Sequence, residues 1–147
     1  MIKEDNTIEI KQNQESVFAF LMDDSNLSLW VNGIVAVNPI GEHHNSVGDA
    51  VMIEVNVPKE MHIRSTLSRL DQPHLFATEY EAGNMKGGMQ YTLKSVNEST
   101  TAVHYTAVHH PQGWLMKLLS PLIGVVIKKE RKKELMRLKA VLESDTH

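Results

Sequence analysis

Two adjacent stretches decide the fold: MQYTLKSVNESTTAVHYTAVHH, from Met89 to His110, and WLMKLLSPLIGVVIKKERKKELMRLKAVLES, from Trp114 to Ser144. In the first, Met89, Tyr91 and Leu93 alternate with Gln90, Thr92 and Lys94. Val103, Tyr105 and Ala107 alternate in the same way with His104, Thr106 and Val108. A period of two is that of a half-buried strand, and Asn97-Glu98-Ser99 between the two runs is a turn signal. In the second stretch the period changes. Leu115, Leu118, Leu119, Leu122, Val126, Ile127, Leu135, Leu138 and Leu142 recur three and four residues apart, with the Lys and Arg residues mostly off that stripe, which predicts a long amphipathic helix. Ser120-Pro121 resembles an N-cap followed by proline at the first helical position, so a fresh helix start or a kink is expected there, after a short helical lead-in from Trp114 to Leu119.

Upstream the pattern is mostly strand. Ile8 and Ile10 alternate with polar neighbours in Asn6–Lys11, and then Val17, Phe18, Phe20 and Leu21 take helical spacing after the N-cap candidate Asn13. A second short helix is expected from Ser25 or Asn26 through Trp30, ending at Asn32-Gly33. Strands follow at Ile34–Pro39, then with Val51, Ile53, Val55 and Val57 in one phase, then with Met61, Ile63, Ser65 and Leu67, then with Phe76, Thr78 and Tyr80. Loops of a few residues between strands favour antiparallel pairing as a meander with one apolar and one wet face. The expected fold class is therefore α+β. A curved antiparallel sheet of about seven strands wraps around the long C-terminal helix, with two short helices after the first strand, in a single domain spanning residues 1–147.

Composition narrows the function. Hydrophobic residues are 41% and charged residues 22%, which suits a packed core. Aromatics are only 5% while methionines number eight, and methionine is a compliant gap-filler. The absence of cysteine excludes a disulfide framework and thiolate chemistry. The N-terminus lacks the apolar run of a signal peptide, and no stretch approaches a membrane span, so a cytoplasmic protein without stable membrane insertion is expected. Charge is sorted along the chain: Trp114–Ser144 carries eight Lys/Arg against three Glu, +5, in a chain of net charge −3, so the remainder carries −8. The low pI of about 6.2 and the lack of interleaved aromatics speak against nucleic acid. The basic helix reads first as a solvated face, with a membrane surface or a partner protein as the alternatives.

No phosphate-loop or dinucleotide spacing occurs, and Gly87-Gly88 reads as a bulge or bend of the sheet. The pairs His43-His44 and His109-His110 are not metal sites by spacing, since neighbours on a strand point to opposite faces. They read as solvated or capping residues, and neither a metal nor a cofactor is expected. Glu54, Arg64 and Glu79 fall in the wet phase. Only a bulge reversing the phase around Met52, Glu54 and Asn56 turns that carboxylate inward.

The chain resembles the SRPBCC or START-like superfamily, and within it the polyketide cyclase/dehydrase-like group. The residues that carry the resemblance are Ile8-Glu9-Ile10, Ser16–Asp23, Asn26–Val31, Val47-Gly48-Asp49, Ser120-Pro121-Leu122 and Arg137-Leu138-Lys139. It implies a helix-grip fold with a deep, mostly apolar pocket between sheet and C-terminal helix, and members that bind lipids, polyketides and other apolar molecules. It carries over no catalytic residue. Small or flexible inward residues, Ser65, Ala107, Gly87, Met61 and Met89, point to a cavity, and Tyr80, Tyr91 and Tyr105 share the inward phase. His109 continues the phase of Tyr105 and Ala107 towards a pocket mouth, and Trp30 and Trp114 flank the entrance or plug the core. The pocket candidates are thus Trp30, Met61, Ile63, Ser65, Thr78, Tyr80, Met89, Tyr91, Tyr105, Ala107, His109, Trp114, Leu118 and Leu122.

The leading expectation is non-catalytic binding of an apolar or lipid-like small molecule by a monomer or homodimer. A polyketide cyclase or dehydratase using Tyr91, Tyr105 or His109 as acid/base is the second. It requires at least two of these groups to converge on one point. An accessory protein docking through its basic C-terminal helix is the third.

Overall fold

The computed structural model describes residues 1–42, 45–57 and 59–144, so His43-His44 lies outside the described residues. Seven strands form one antiparallel sheet: β1 (Ile2–Ile10), β2 (Ile34–Ile40), β3 (Ala50–Val55), β4 (Met61–Asp71), β5 (Leu75–Ala82), β6 (Met85–Asn97) and β7 (Thr100–Pro111). The spatial order is β1-β7-β6-β5-β4-β3-β2. It is a meander from β2 to β7, closed by β1 returning to the free edge of β7.

The helices are α1 (Gln14–Met22), α2 (Leu27–Trp30), α3 (Trp114–Leu118) and α4 (Ser120–Ser144). Asn13 caps α1 as its spacing predicts, its side-chain oxygen accepting from the Ser16 amide at 2.8 Å. The break at Ser120 is a fresh helix start in near-continuity with α3, because the Ile123 amide donates to the Leu119 carbonyl at 3.0 Å. This is the helix-grip arrangement. None of these helices is long and apolar enough to cross a membrane.

The core lies where α1, α2 and the C-terminal half of α4 meet the inner sheet face. Val17, Phe18, Leu93, Val103, Tyr105 and Leu138 are almost fully excluded from water. α4 runs over β1 and against α2, and its end is tied down by Lys139, whose ammonium donates to the Glu9 carbonyl at 2.6 Å. The apolar stripe divides at mid-helix. Leu135, Leu138 and Leu142 are buried, while Leu115, Leu118, Leu119, Leu122 and Val126 are exposed. The physical reason is one of phase: Leu122 and Val126 lie on the side of α4 opposite to Leu135 and Leu138, while Gly124, on the packed side, is buried against Ile2.

The register explains the inner face. Val51, Ser65, Tyr80, Gly87, His109 and Ile2 lie in one row across β3, β4, β5, β6, β7 and β1. Leu67, Thr78, Met89, Ala107 and Glu4 form the next. The phase of β3 is not reversed: Val51 and Val55 are buried, and Glu54 faces out beside His62 at 3.7 Å. No register shift occurs at Gly87-Gly88, so a bulge is excluded there. Gly87 instead presses on the neighbouring strand so closely that a Cβ would meet the Val108 carbonyl oxygen at 2.0 Å.

Candidate functional site

Two features occupy the inner face, and they adjoin where Ser65 pairs with Tyr80. The first is a buried polar network on β1, β5, β7 and α4. The carboxylate of Glu4, 0% exposed in its side chain, accepts at Oε2 from His109 Nε2 at 2.6 Å and from the Tyr105 hydroxyl at 3.3 Å, and at Oε1 from Arg131 Nε at 3.2 Å. Arg131 also donates to Glu134 at 2.5 Å. Its guanidinium lies 4.7 Å over the Tyr105 ring, a cation–π contact. On the far side of the imidazole, the Tyr80 hydroxyl meets His109 Nδ1 at 2.5 Å. That bond spans from β5 to β7, and Gly87, between the two residues in register, has no side chain to stand in the way. A carboxylate only accepts, so Nε2 donates to Glu4, and Nδ1 exchanges its hydrogen bond with Tyr80 according to the charge of the ring.

The electrostatics follow from burial and neighbours. Burial alone would raise the Glu4 pKa, but the hydrogen bond from His109 and the Arg131 guanidinium hold it below the ordinary carboxylate value. For Glu134 burial prevails over the pull of Arg131, and its pKa is raised. Burial opposes the charge of Arg131, yet Tyr105, Glu134, Tyr91 and Glu4 outweigh it and raise its pKa. Burial pushes the Tyr80 phenol up to about 12, and it drives Tyr91 and Tyr105 upward as well. Among the described residues, no buried side-chain nitrogen or oxygen lacks a hydrogen-bond partner. The network is thus saturated within itself, with each acid or base already engaged.

Beside it stands an aromatic column. Phe76, Tyr91 and Tyr105 form one register row. Phe76 stacks on Tyr91 at 4.9 Å, Tyr91 meets Tyr105 at 5.0 Å, and Phe18 of α1 closes on Phe76 edge-on at 5.6 Å. With Arg131 on the other end, this column fills the space between sheet and α4 in which the sequence predicts a cavity. The few aromatics of the chain are concentrated where they close the interior.

The second feature is open volume at the Phe18–Phe76 end of that column. A narrow cavity of about 50 Å³ lies between α1 and the strands β3, β4 and β5, lined by Leu21, Met22, Val51, Leu67 and Phe76, with Ser65, Thr78, Asp24, Asn45 and Asp49 as its polar groups. It adjoins a groove of about 600 Å³ lined by Phe18, Ala19, Met22, Asp23, Asp24, Ser25, Val37, Pro39, Asn45, Val51, Leu70 and Gln72. Met22, Asp24, Asn45 and Val51 border both, so the cavity is the inner end of the groove.

The residues singled out by sequence therefore scatter. Ser65 and Thr78 line the cavity. Tyr80, Tyr105 and His109 meet in the network, and His109 is 3% exposed, neither solvated nor at a mouth. Tyr91 stands in the column, and Ala107 is buried in the row between Met89 and Glu4. Met61 and Ile63 are half-buried on the inner phase of β4, and Met89 packs against the core. Trp30 is a core plug, and its carbonyl accepts from Arg137 at 2.9 Å. Trp114, Leu118 and Leu122 are 77%, 68% and 65% exposed and line neither the cavity nor the groove, because the side that carries them faces water. Sequence reasoning missed Glu4, Arg131 and Glu134. The signal was present: Glu4 shares the phase of Ile2, Ile8 and Ile10, and Arg131 lies four and seven residues before the buried Leu135 and Leu138.

The geometry has counterparts among known proteins. Residues 1–143 match the family model described as polyketide cyclase / dehydrase and lipid transport. A START superfamily protein from Mycobacterium smegmatis superposes with a TM-score of 0.81 at 10% identity, over 98% of this chain and 99% of that one. The Zhui aromatase/cyclase from Streptomyces sp. R1128 does so with a TM-score of 0.82 at 13% identity, over 99% and 95%. A conserved protein from Geobacillus kaustophilus reaches 0.79 at 18% identity, over 99% and 98%. No curated protein matches the sequence. Matched from its first strand to the end of its last helix, the chain belongs to the polyketide cyclase/dehydrase and lipid transport family, with the START-like fold.

Proposed function

We propose that this protein binds an apolar small molecule or lipid-like chain without altering it, in the groove between α1 and the strands β2 to β5. The observation that carries this reading is the continuity of groove and cavity. About 600 Å³ lies within the usual range for ligand sites, whereas about 50 Å³ admits only a slim terminus such as an alkyl end. The ligand end enters against Leu21, Leu67 and Phe76, where Ser65 and Thr78 offer two hydroxyl handles and Asp24, Asn45 and Asp49 add polar groups, and the bulk lies along Phe18, Met22, Val37 and Leu70. Nothing in the cavity pairs a free base with a free acid, while the strongest such groups are buried and mutually engaged elsewhere.

Native mass spectrometry and solvent extraction of the purified protein test this reading. An apolar molecule should be retained by the wild type and lost from Thr78→Met, in which the larger side chain fills the cavity. An unliganded wild type that also fails to take up a fluorescent fatty acid defeats it. One observation favours the cyclase reading: Tyr105 and His109 converge on the same oxygen of Glu4, at 3.3 and 2.6 Å. That reading requires substrate to reach a fully buried network, so turnover of a polyketide-like substrate abolished by His109→Gln but retained in Thr78→Met would establish it in place of simple binding.

A further inference from the structure

The exposed apolar face of α3 and early α4 is unused by the groove, and its chemistry is uneven in an informative way. Trp114, Leu118, Leu122, Val125 and Val126 are each more than 60% exposed. From Gly113 to Lys129 there is no carboxylate at all, and the only charges are Lys117, Lys128 and Lys129. Lys132 and Lys133 follow one turn later, exposed like Lys128 and Lys129, and none of these five ammonium groups makes an ion pair among the described residues. On α4, Leu122, Val125 and Val126 share one side with Lys129, Lys132 and Lys133, opposite to the buried Gly124, Leu135 and Leu138. The face is thus apolar over its first two turns and cationic over the next two.

We propose that α3 and the first half of α4 form a reversible docking surface for an anionic lipid bilayer. The order of chemistries along the helix matches the order of layers met at an oblique angle. The apolar turns enter the boundary of headgroups and acyl chains, where surface helices bury about 5–10 Å. At about 1.5 Å per residue the lysines begin roughly 5 Å further along the axis, at the level of the phosphates. Charge complementarity selects this occupant. A second copy seated on the same face by two-fold symmetry would oppose two lysine rims with no carboxylate between Gly113 and Lys129 to offset them. The docking surface stands independently of the groove and its ligand.

The two tryptophans make the test direct, since Trp30 is 4% exposed and silent while Trp114 is 77% exposed. The full chain is mixed with vesicles of phosphatidylcholine alone and of phosphatidylcholine and phosphatidylglycerol in equal parts. The mixed vesicles should pellet the protein and shift its emission to the blue, with an affinity that falls as salt rises, and the neutral vesicles should do neither. Leu122→Asp with Val126→Asp, at exposed positions that leave the core intact, should abolish both signals. Each of Lys128→Ala, Lys129→Ala and Lys132→Ala should weaken partition by roughly fivefold. The inference is overturned by failure to bind the mixed vesicles, by equal binding to both kinds, or by binding that the variants do not alter. A dimer in solution that the double Asp variant converts to monomer, without vesicle binding, assigns the face to a second copy instead.

Discussion

Glu4→Gln is the sharpest perturbation of the buried network, because it keeps the shape and removes only the charge. Three donors converge on the carboxylate, His109 Nε2 at 2.6 Å, Tyr105 at 3.3 Å and Arg131 Nε at 3.2 Å. The amide can offer an oxygen to only one side, so its NH₂ faces either the guanidinium or the imidazole N–H, donor against donor. A lost hydrogen bond to a charged group is worth about 1.5–3 kcal/mol, and breaking a buried ion pair outright costs about 3–5 kcal/mol. Glu134 stays with Arg131 at 2.5 Å, so the cation is not orphaned and the expected loss is about 3 kcal/mol, at the lower end of that range. Urea denaturation followed by circular dichroism at neutral pH measures it.

The pH dependence supplies a second reading from the same variant. The folded-state pKa of Glu4 is depressed below its ordinary value of 4.5. Its contribution is therefore complete above that value and is lost as pH falls through the folded pKa. Protonated Glu4 resembles glutamine, so the gap between wild type and variant should close on acidification. A neutral-pH loss under about 1 kcal/mol, too small for a buried charged acceptor, or a gap that does not change with pH, would refute the account of Glu4 as the anionic centre of the network.

Further tests address the fold. Gly87→Ala should cost about 3 kcal/mol or more, since its Cβ would lie 2.0 Å from a backbone oxygen that cannot move aside. Gly88→Ala, whose Cβ would meet only the Thr78 carbonyl at 3.5 Å, should change stability by about 0.5 kcal/mol or less; equal effects at both sites would contradict the register. Leu138→Ala, fully buried, should cost about 2–5 kcal/mol. Leu122→Ala, 65% exposed on the same sequence stripe, should cost less than about 0.5 kcal/mol, and thermal unfolding of the pair decides whether the stripe divides at mid-helix.

The fold was legible because its strands alternate cleanly and its helices carry their own signals: Asn13 as a cap, Ser120-Pro121 as a start, Asn32-Gly33 as a stop. The inward phase was legible too, since Val103, Tyr105, Ala107 and His109 all point inside. The site was harder to read because periodicity tells which side a residue faces and not what stands opposite. Trp114, Leu118 and Leu122 follow the same three- and four-residue spacing as the buried leucines, yet on α4 Leu122 lies on the side opposite to Leu135 and Leu138. Glu4 and Arg131 also have the period of buried residues, but a charge in that phase is ordinarily set aside as solvated. It becomes intelligible only when β1 is seen beside β7, placing Glu4 two residues from the register partner of His109. A pairing between the first strand and the last is a tertiary fact that no local pattern encodes.

That pairing also bears on the proposal of binding over catalysis. Converting the network to an acid/base site would require a substrate to part Arg131 from Glu4 or His109 from Tyr80, and every group so freed would be buried without its partner, at about 1–3 kcal/mol for each and more for the charged ones. Ser65 of the cavity is the register partner of Tyr80, so a guest advancing from the cavity meets the Tyr80–His109 hydrogen bond first and must break it to go further. A guest entering beside Leu21 and Val51 avoids that cost, because the volume there is already open, with Leu21, Met22, Val51, Leu67 and Phe76 as its apolar walls. Methionine at that border, free to change rotamer at little expense, lets the narrow end widen for a thicker chain. This energetic asymmetry supports the proposal of a ligand against α1, while the charged network ties α4 to β1 through Arg131 and Glu4.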